Sequence, residues 1–100
     1  MLDRNGYAES IVQPNGEVCF LCGRSSGKLD RHEIWGGALR SKSKRLGLWI
    51  LLCHYPCHME KAHGDRGVMT MLRQKGQEAA MAAYGWTIDE FIKQIGRNYL

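Results

Sequence analysis

The sequence predicts a small α+β domain, with short strands in the first half and helices in the second. Apolar runs of strand length occupy residues 29–34 and 48–52, whereas apolar residues recur with a helical period after residue 67. A length of 100 residues suits a single domain spanning residues 1–100. The chain is 44% hydrophobic and 24% charged, which excludes a disordered tail.

The longest apolar stretch, residues 46–53, is far shorter than the ~20 residues that a membrane-spanning helix needs. The chain also does not open with a basic stretch followed by an apolar run, the pattern of a secretion signal. We therefore expect a cytoplasmic protein with no membrane partner. Its four cysteines would remain reduced there, so metal binding is favoured over disulfides.

The first half is expected to contain four short strands. Residues 9–13 form the first, and Pro14-Asn15-Gly16 is a turn signal. Residues 18–21 form the second, which leads into the first cysteines. Residues 29–34 form the third, and the apolar residues 48–52 predict a buried fourth strand.

Helices are expected from residue 57 onward. Residues 57–63 can form a short helix. Residues 68–84 place their apolar side chains on one stripe, and Gly85 is a natural stop. Residues 87–90, Thr-Ile-Asp-Glu, match a capping box and predict a last helix that ends at Gly96.

The cysteines form two close pairs of the kind that bind zinc. They are a C-x2-C pair, Cys19 and Cys22, and a C-x3-C pair, Cys53 and Cys57. Two such pairs can surround one zinc ion tetrahedrally. A strand before the first pair and a helix after the second predict a treble-clef site, with His54 or His58 as a possible substitute ligand. The alternative is four buried thiols without metal.

The four histidines lie between the two cysteine pairs or close to the second pair. His32 shares a predicted strand with Asp30, and His58 and His63 lie five residues apart in the predicted helix. A strand with an acid and a histidine, beside a helix with histidines, suits phosphodiester hydrolysis with one metal ion. One histidine activates water, and the others hold a divalent cation.

The net charge of +4 is concentrated in one region. Residues 24–45 carry seven basic side chains and two acidic ones, which suits several phosphates and predicts DNA as the partner. The polar run 40–45 is expected to be an exposed loop. The side chains expected to contact DNA are Arg31, Arg40, Lys42, Lys44 and Arg45.

Together these motifs resemble the HNH endonuclease family, in particular the short HNH-like proteins of bacteriophages and prophages. The resemblance covers roughly residues 17–100. It is carried by Cys-x2-Cys, Asp-x-His-Glu-Ile, Gly-Gly, the basic run, Cys-x3-Cys-His-x4-His and the final Ile-Gly-Arg-Asn-Tyr-Leu.

The resemblance implies a zinc-stabilised ββα-metal core over residues 17–64, followed by a helical part over residues 67–96. It implies a DNA endonuclease or nickase, encoded by a phage or prophage and acting in the bacterial cytoplasm. Zn²⁺ would be structural, and Mg²⁺ or another divalent cation catalytic. The implied site residues are His32, Glu33 and Asp30 for catalysis and His58 and His63 as ligands of the catalytic metal.

Two questions stay open at this stage. Either His32 binds metal and Glu33 is the base, or Asp30 or Glu33 binds metal and His32 is the base. In addition, residues 23–73 contain no asparagine, although the family motif has a central one. That absence favours an alternative function as a non-catalytic, zinc-dependent DNA-binding or recombination accessory module. A zinc-stabilised protein that regulates another enzyme is a third possibility.

Overall fold

A computed structural model describes residues 1–100 and has the predicted order of strands before long helices. Its elements are β1 (Leu29–Glu33), a 3-10 turn (Gly37–Leu39), α1 (Arg40–Leu46), β2 (Trp49–Cys53), a π-helical segment (His54–Ala62) that is interrupted by extended backbone at Tyr55, α2 (Arg66–Tyr84) and α3 (Ile88–Ile95). The protein is therefore a small α+β fold with a two-stranded sheet and four helices, which confirms the predicted class at this level.

The two strands form an antiparallel hairpin in which Leu29 pairs with Cys53 and His32 pairs with Ile50. Both strands were predicted from the sequence. Ile50 and Leu52 are 0% exposed, and they share their face of the sheet with their partners His32 and Asp30. Alternate residues of a strand share a face, so Asp30 and His32 point the same way and Arg31 points to the other side.

The core lies where α2 and α3 cover the end of the hairpin. Trp35 is 2% exposed, and its ring centroid is 5.7 Å from that of Phe91 in α3. Helix α2 approaches closely at Gly76, where a Cβ atom would lie 2.9 Å from Cζ3 of Trp35. A side chain at position 76 would therefore push α2 away from the hairpin.

The long helices begin and end at the residues that local chemistry favours. The Asp65 carboxylate accepts a hydrogen bond from the backbone N–H of Val68 and caps α2, which ends at Gly85 with φ of 65°. Thr87 Oγ1 accepts from the backbone N–H of Glu90, the first half of the predicted capping box, whereas the Glu90 carboxylate accepts from Gln94 Nε2 at 3.0 Å. None of the helices combines the length and apolar character needed to cross a bilayer.

The predicted exposed loop at residues 40–45 is wrong, because this stretch is helix α1. Ser43 fixes the helix: it is 0% exposed, donates to Trp35 O and accepts from Trp35 N–H. Gly47 ends the helix in the left-handed conformation, with φ of 75°. A buried serine, rather than an apolar stripe, thus holds this helix in place.

The strands predicted at residues 9–13 and 18–21 are also wrong, although the turn between them is present. Both stretches are irregular. Isolated hydrogen bonds from them pair with backbone groups on the outer edge of β2. The side-chain Oε1 of Gln13 accepts from Leu51 N–H at 2.8 Å, and Phe20 N–H donates to Leu51 O at 2.8 Å. Side-chain and isolated backbone hydrogen bonds replace the expected strand pairing.

Candidate metal centres

The four cysteines converge on one point, here called the cysteine centre. Their sulfur atoms all lie within 4.8 Å of one another, and the Cys22 and Cys53 sulfurs are 3.8 Å apart. Zinc at ~2.3 Å from each of four sulfurs in a tetrahedron places neighbouring sulfurs ~3.8 Å apart. A disulfide needs ~2.05 Å, and all four thiols are free. The residues present therefore fit a zinc ion.

Two separate parts of the chain deliver these thiols. Cys19 and Cys22 belong to a tight turn in which Gly23 N–H donates to Cys19 O at 2.9 Å. Cys53 ends β2, and Cys57 lies in the following π-helical segment. The predicted helix at the second pair is present, but no strand precedes the first pair.

The cysteine centre favours unequal protonation of its thiols. Burial alone would raise the pKa of Cys19, but backbone N–H groups of Cys22, Cys53 and Leu21 lower this pKa to about 6. Burial, together with the neighbouring thiols, raises the pKa of Cys57. A cation between the sulfurs would stabilise the thiolate form that metal binding requires.

Three histidines form a second cluster, here called the histidine centre: His32 from β1 and His58 and His63 from the helical stretch after β2. One ring nitrogen from each lies within 4.8 Å of the other two. The Nε2 atoms of His58 and His63 are 3.1 Å apart. Two nitrogens that each bind a metal at ~2.1 Å lie ~3.0 to 3.4 Å apart, so this pair also fits a metal ion.

Asp30 lies behind His58 and does not belong to the histidine centre. Its Oδ2 atom is 2.8 Å from His58 Nδ1 and 2.7 Å from His54 Nδ1. Burial would raise the pKa of Asp30, but the hydrogen bonds to His58 and His54 keep this pKa below its usual value. The carboxylate thus fixes the His58 ring with Nε2 directed at His63, an arrangement common behind metal-binding histidines.

His32 is only 9% exposed, and its ring centroid is 5.3 Å from the rings of both His58 and His63. Burial, followed by the positive charges of the other two histidines, lowers the pKa of His32 to about 4. Its ring is therefore neutral near pH 7 and has a nitrogen that can accept a proton or bind a metal.

Glu33, the other candidate base, follows His32 in β1 and is paired with Arg40. Its Oε1 atom accepts from Arg40 Nε at 2.7 Å, and the carboxylate side chain is 8% exposed. Glu33 still borders a cavity of about 280 Å³ that also touches His32 and His63. The structure therefore groups Asp30 with His54 and His58, and His32 with His58 and His63, but not Glu33 with either set.

Four of the five basic side chains predicted to contact DNA are engaged within the chain. Arg31 forms an ion pair with Asp3, and Arg40 forms one with Glu33. Lys42 donates a hydrogen bond to the Gln94 carbonyl, and Lys44 lies over the Tyr7 ring. Arg45, the fifth, is exposed. Of the basic side chains in helix α1, only Arg40 is paired with a carboxylate, whereas Lys42 and Lys44 contact uncharged groups.

The sequence reasoning missed three arginines beside the histidine centre, namely Arg66, Arg73 and Arg97. With His63, they line a cavity of about 740 Å³ between α2 and the C-terminal segment. They do not form a basic run, which is why composition did not reveal them. The spacing of Arg66 and Arg73, two helical turns apart, was the available signal.

Comparisons with known proteins give no relative from which a function could be transferred. No protein-family model matches the chain, and no curated protein or solved structure matches it significantly.

Proposed function

We propose that this protein is a metal-dependent DNA endonuclease or nickase of the HNH type. The observation that carries the proposal is the histidine centre, in which the Nε2 atoms of His58 and His63 lie 3.1 Å apart beside the neutral ring of His32. Imidazole ligands with an adjacent proton acceptor are the side chains that metal-assisted hydrolysis of a phosphodiester needs.

The chain order around the two centres supports the same proposal. The turn with Cys19 and Cys22 precedes the β1–β2 hairpin, and the π-helical segment with Cys57 follows it directly. A cysteine turn, a hairpin and a helix around one zinc ion constitute the treble-clef arrangement proposed here. The hairpin and helix would also form the ββα-metal core, with zinc as its structural ion.

In this mechanism His58 and His63 would hold a divalent cation, and Asp30 orients His58 through Nδ1. Mg²⁺ or another divalent cation would supply positive charge for the phosphate and for the departing oxygen. His32 accepts the proton of the attacking water. We assign this role to His32 rather than Glu33 because Arg40 already occupies the Glu33 carboxylate.

Nicking of supercoiled plasmid tests the proposal directly. Zinc-loaded protein is incubated with plasmid in the presence of Mg²⁺, Mn²⁺ or Ni²⁺, and wild type is compared with His32→Ala. We expect wild-type nicking and a loss of ~10²- to 10⁴-fold in the variant, the usual contribution of a general base. Lys93→Ala, on the exposed face of α3, serves as the control and should nick like wild type.

Zinc content and thermal unfolding must match between wild type and His32→Ala for this comparison to count. Absence of wild-type cleavage with all three metals would overturn the endonuclease. Undiminished cleavage by a folded His32→Ala would remove His32 from the mechanism.

A second candidate function is a DNA-binding module without catalysis. It is favoured by the proximity of all three histidine nitrogens, within 4.8 Å, because a single cation could take all of them and leave no base. Such a module would bind DNA with a strong salt dependence and cleave with none of the metals.

A further inference from the structure

A positively charged groove extends from the histidine centre towards the end of the chain. It begins at His63, runs along the first half of α2 and ends beside residues 97–100, with a volume of about 740 Å³. His63 and Arg73 line both this groove and the smaller cavity at His32, so the two spaces adjoin. A ligand in the groove would therefore reach the histidine centre.

The charge of the groove comes from Arg66, Arg73 and Arg97, and no aspartate or glutamate lines it. None of the ion pairs of the chain involves these three arginines. By contrast, Arg31 and Arg40 are neutralised by carboxylates at 2.8 Å and 2.7 Å. The groove thus has three guanidinium groups whose charge is not balanced by an acidic partner.

Buried hydrogen bonds hold the C-terminal wall of the groove against α2. Gln77 is 0% exposed, accepts from Tyr99 N–H at 2.8 Å and donates to Asn98 Oδ1 at 2.7 Å. The Tyr99 ring in turn lies beneath two of the cations, 5.7 Å from Arg73 and 5.0 Å from Arg97. The arginines are therefore presented by a fixed surface rather than by a loose tail.

We propose that this groove binds the backbone phosphates of a polynucleotide strand that passes through the histidine centre. The inference rests on the proposed function and names the surface that would hold its substrate. Guanidinium groups recognise phosphate oxygens through paired hydrogen bonds, and several along one path suit a strand with regularly spaced phosphates. The Tyr99 ring, which lies beneath Arg73 and Arg97, helps to hold these two guanidinium groups beside the groove.

Binding of a fluorescein-labelled single-stranded DNA 20-mer, followed by fluorescence anisotropy without added divalent cation, tests this surface. The zinc-loaded full chain is compared with Arg73→Gln and Arg97→Gln, each of which should weaken binding about three- to tenfold. The slope of log K against log salt should become shallower by ~0.7 for each lost phosphate contact. Lys93→Gln removes a charge outside the groove and is the matched control.

Affinity and salt slope equal to wild type in both folded arginine variants would overturn the proposal. So would equal competition by poly-glutamate and by unlabelled DNA of the same charge, since the groove would then recognise acidity alone. Arg97→Lys keeps the charge and should regain part of the affinity, which separates a phosphate contact from a folding defect.

The two proposals can fail separately. If wild type fails to nick plasmid but the arginine variants bind the 20-mer more weakly, the result supports the groove as a binding site and contradicts the endonuclease. If wild type nicks plasmid and the arginine variants bind and nick like wild type, the result contradicts only the proposal that the groove binds the strand.

Discussion

The cysteine centre and the histidine centre are neighbours that differ in their access to solvent. Cys19, Cys53 and Cys57 are no more than 1% exposed and Cys22 is exposed, so the cysteine centre is closed at three of its four thiols. His63 is exposed, and the histidine centre borders three cavities that all have His63 in their lining. Closed tetrahedral sites stabilise folds, whereas sites with an open side can admit water and substrate.

The π-helical segment contributes to both centres. Cys57 and His58 are consecutive residues of the π-helical segment, yet one belongs to the closed centre and the other to the open one. The closed centre ties this segment to the turn at Cys19, and the hairpin supplies His32 to the open centre and places Asp30 behind His58. Experiments that remove one centre and spare the other test this division.

The largest effect is expected from Cys57→Ser, which removes a ligand of the closed centre. A structural zinc ion contributes on the order of 10 kcal/mol to the folding of small domains. We expect loss of bound zinc and early loss of amide protection across residues 17–64, before α2 and α3. Zinc analysis and hydrogen exchange measure both effects, and chelation of the wild type should reproduce them.

His58→Ala is the matched control for Cys57→Ser, because it changes the adjacent residue and belongs to the open centre. It should keep its zinc and its protected core. Full protection in a protein freed of zinc would show that the closed centre does not hold the fold.

An intermediate effect is expected from Asp30→Asn. The amide keeps the shape of the side chain but loses the charge that orients His58, and loss of such a partner typically lowers metal affinity by ~10- to 100-fold. Titration calorimetry with Mn²⁺ measures this loss, while zinc at the cysteines should be unaffected. Unchanged Mn²⁺ affinity would remove Asp30 from its positioning role.

The smallest effect is expected from His54→Ala. His54 is exposed and shares Oδ2 of Asp30 with His58, but it contributes no nitrogen to the histidine centre. His58 keeps its own hydrogen bond to Asp30 in this variant. Mn²⁺ affinity should therefore fall by less than about threefold, within the range of a single hydrogen bond at an exposed position. A drop as large as that of Asp30→Asn would contradict this ranking.

The sequence was sufficient where local chemistry decides the structure. The period of apolar residues predicted most of α2, and Gly85 and Thr87 marked the junction with α3 correctly. The sequence was not sufficient where contacts between distant residues decide the local structure. Helix α1 depends on hydrogen bonds between Ser43 and Trp35, and the region before Cys19 is irregular because Gln13 reaches the edge of β2.

The candidate site was predictable to a similar extent. The spacing of the cysteines anticipated their convergence, and the histidines were identified without knowing that Asp30 binds His58 from behind. For the basic run 40–45, DNA contact stays a prediction, and its charge in the sequence did not reveal that Arg40 pairs with Glu33. Arg73 and Arg97 are far apart in sequence and adjoin one groove only after folding.

The adjacency of Cys57 and His58 has a kinetic consequence under the proposed function. Because the closed centre positions the segment that carries His58, a molecule either has zinc and a complete active site or lacks both. In a partly zinc-loaded preparation, Vmax would then scale with the fraction of occupied molecules while KM stayed constant. Metal content would set the number of working enzymes and leave the turnover of each one unchanged.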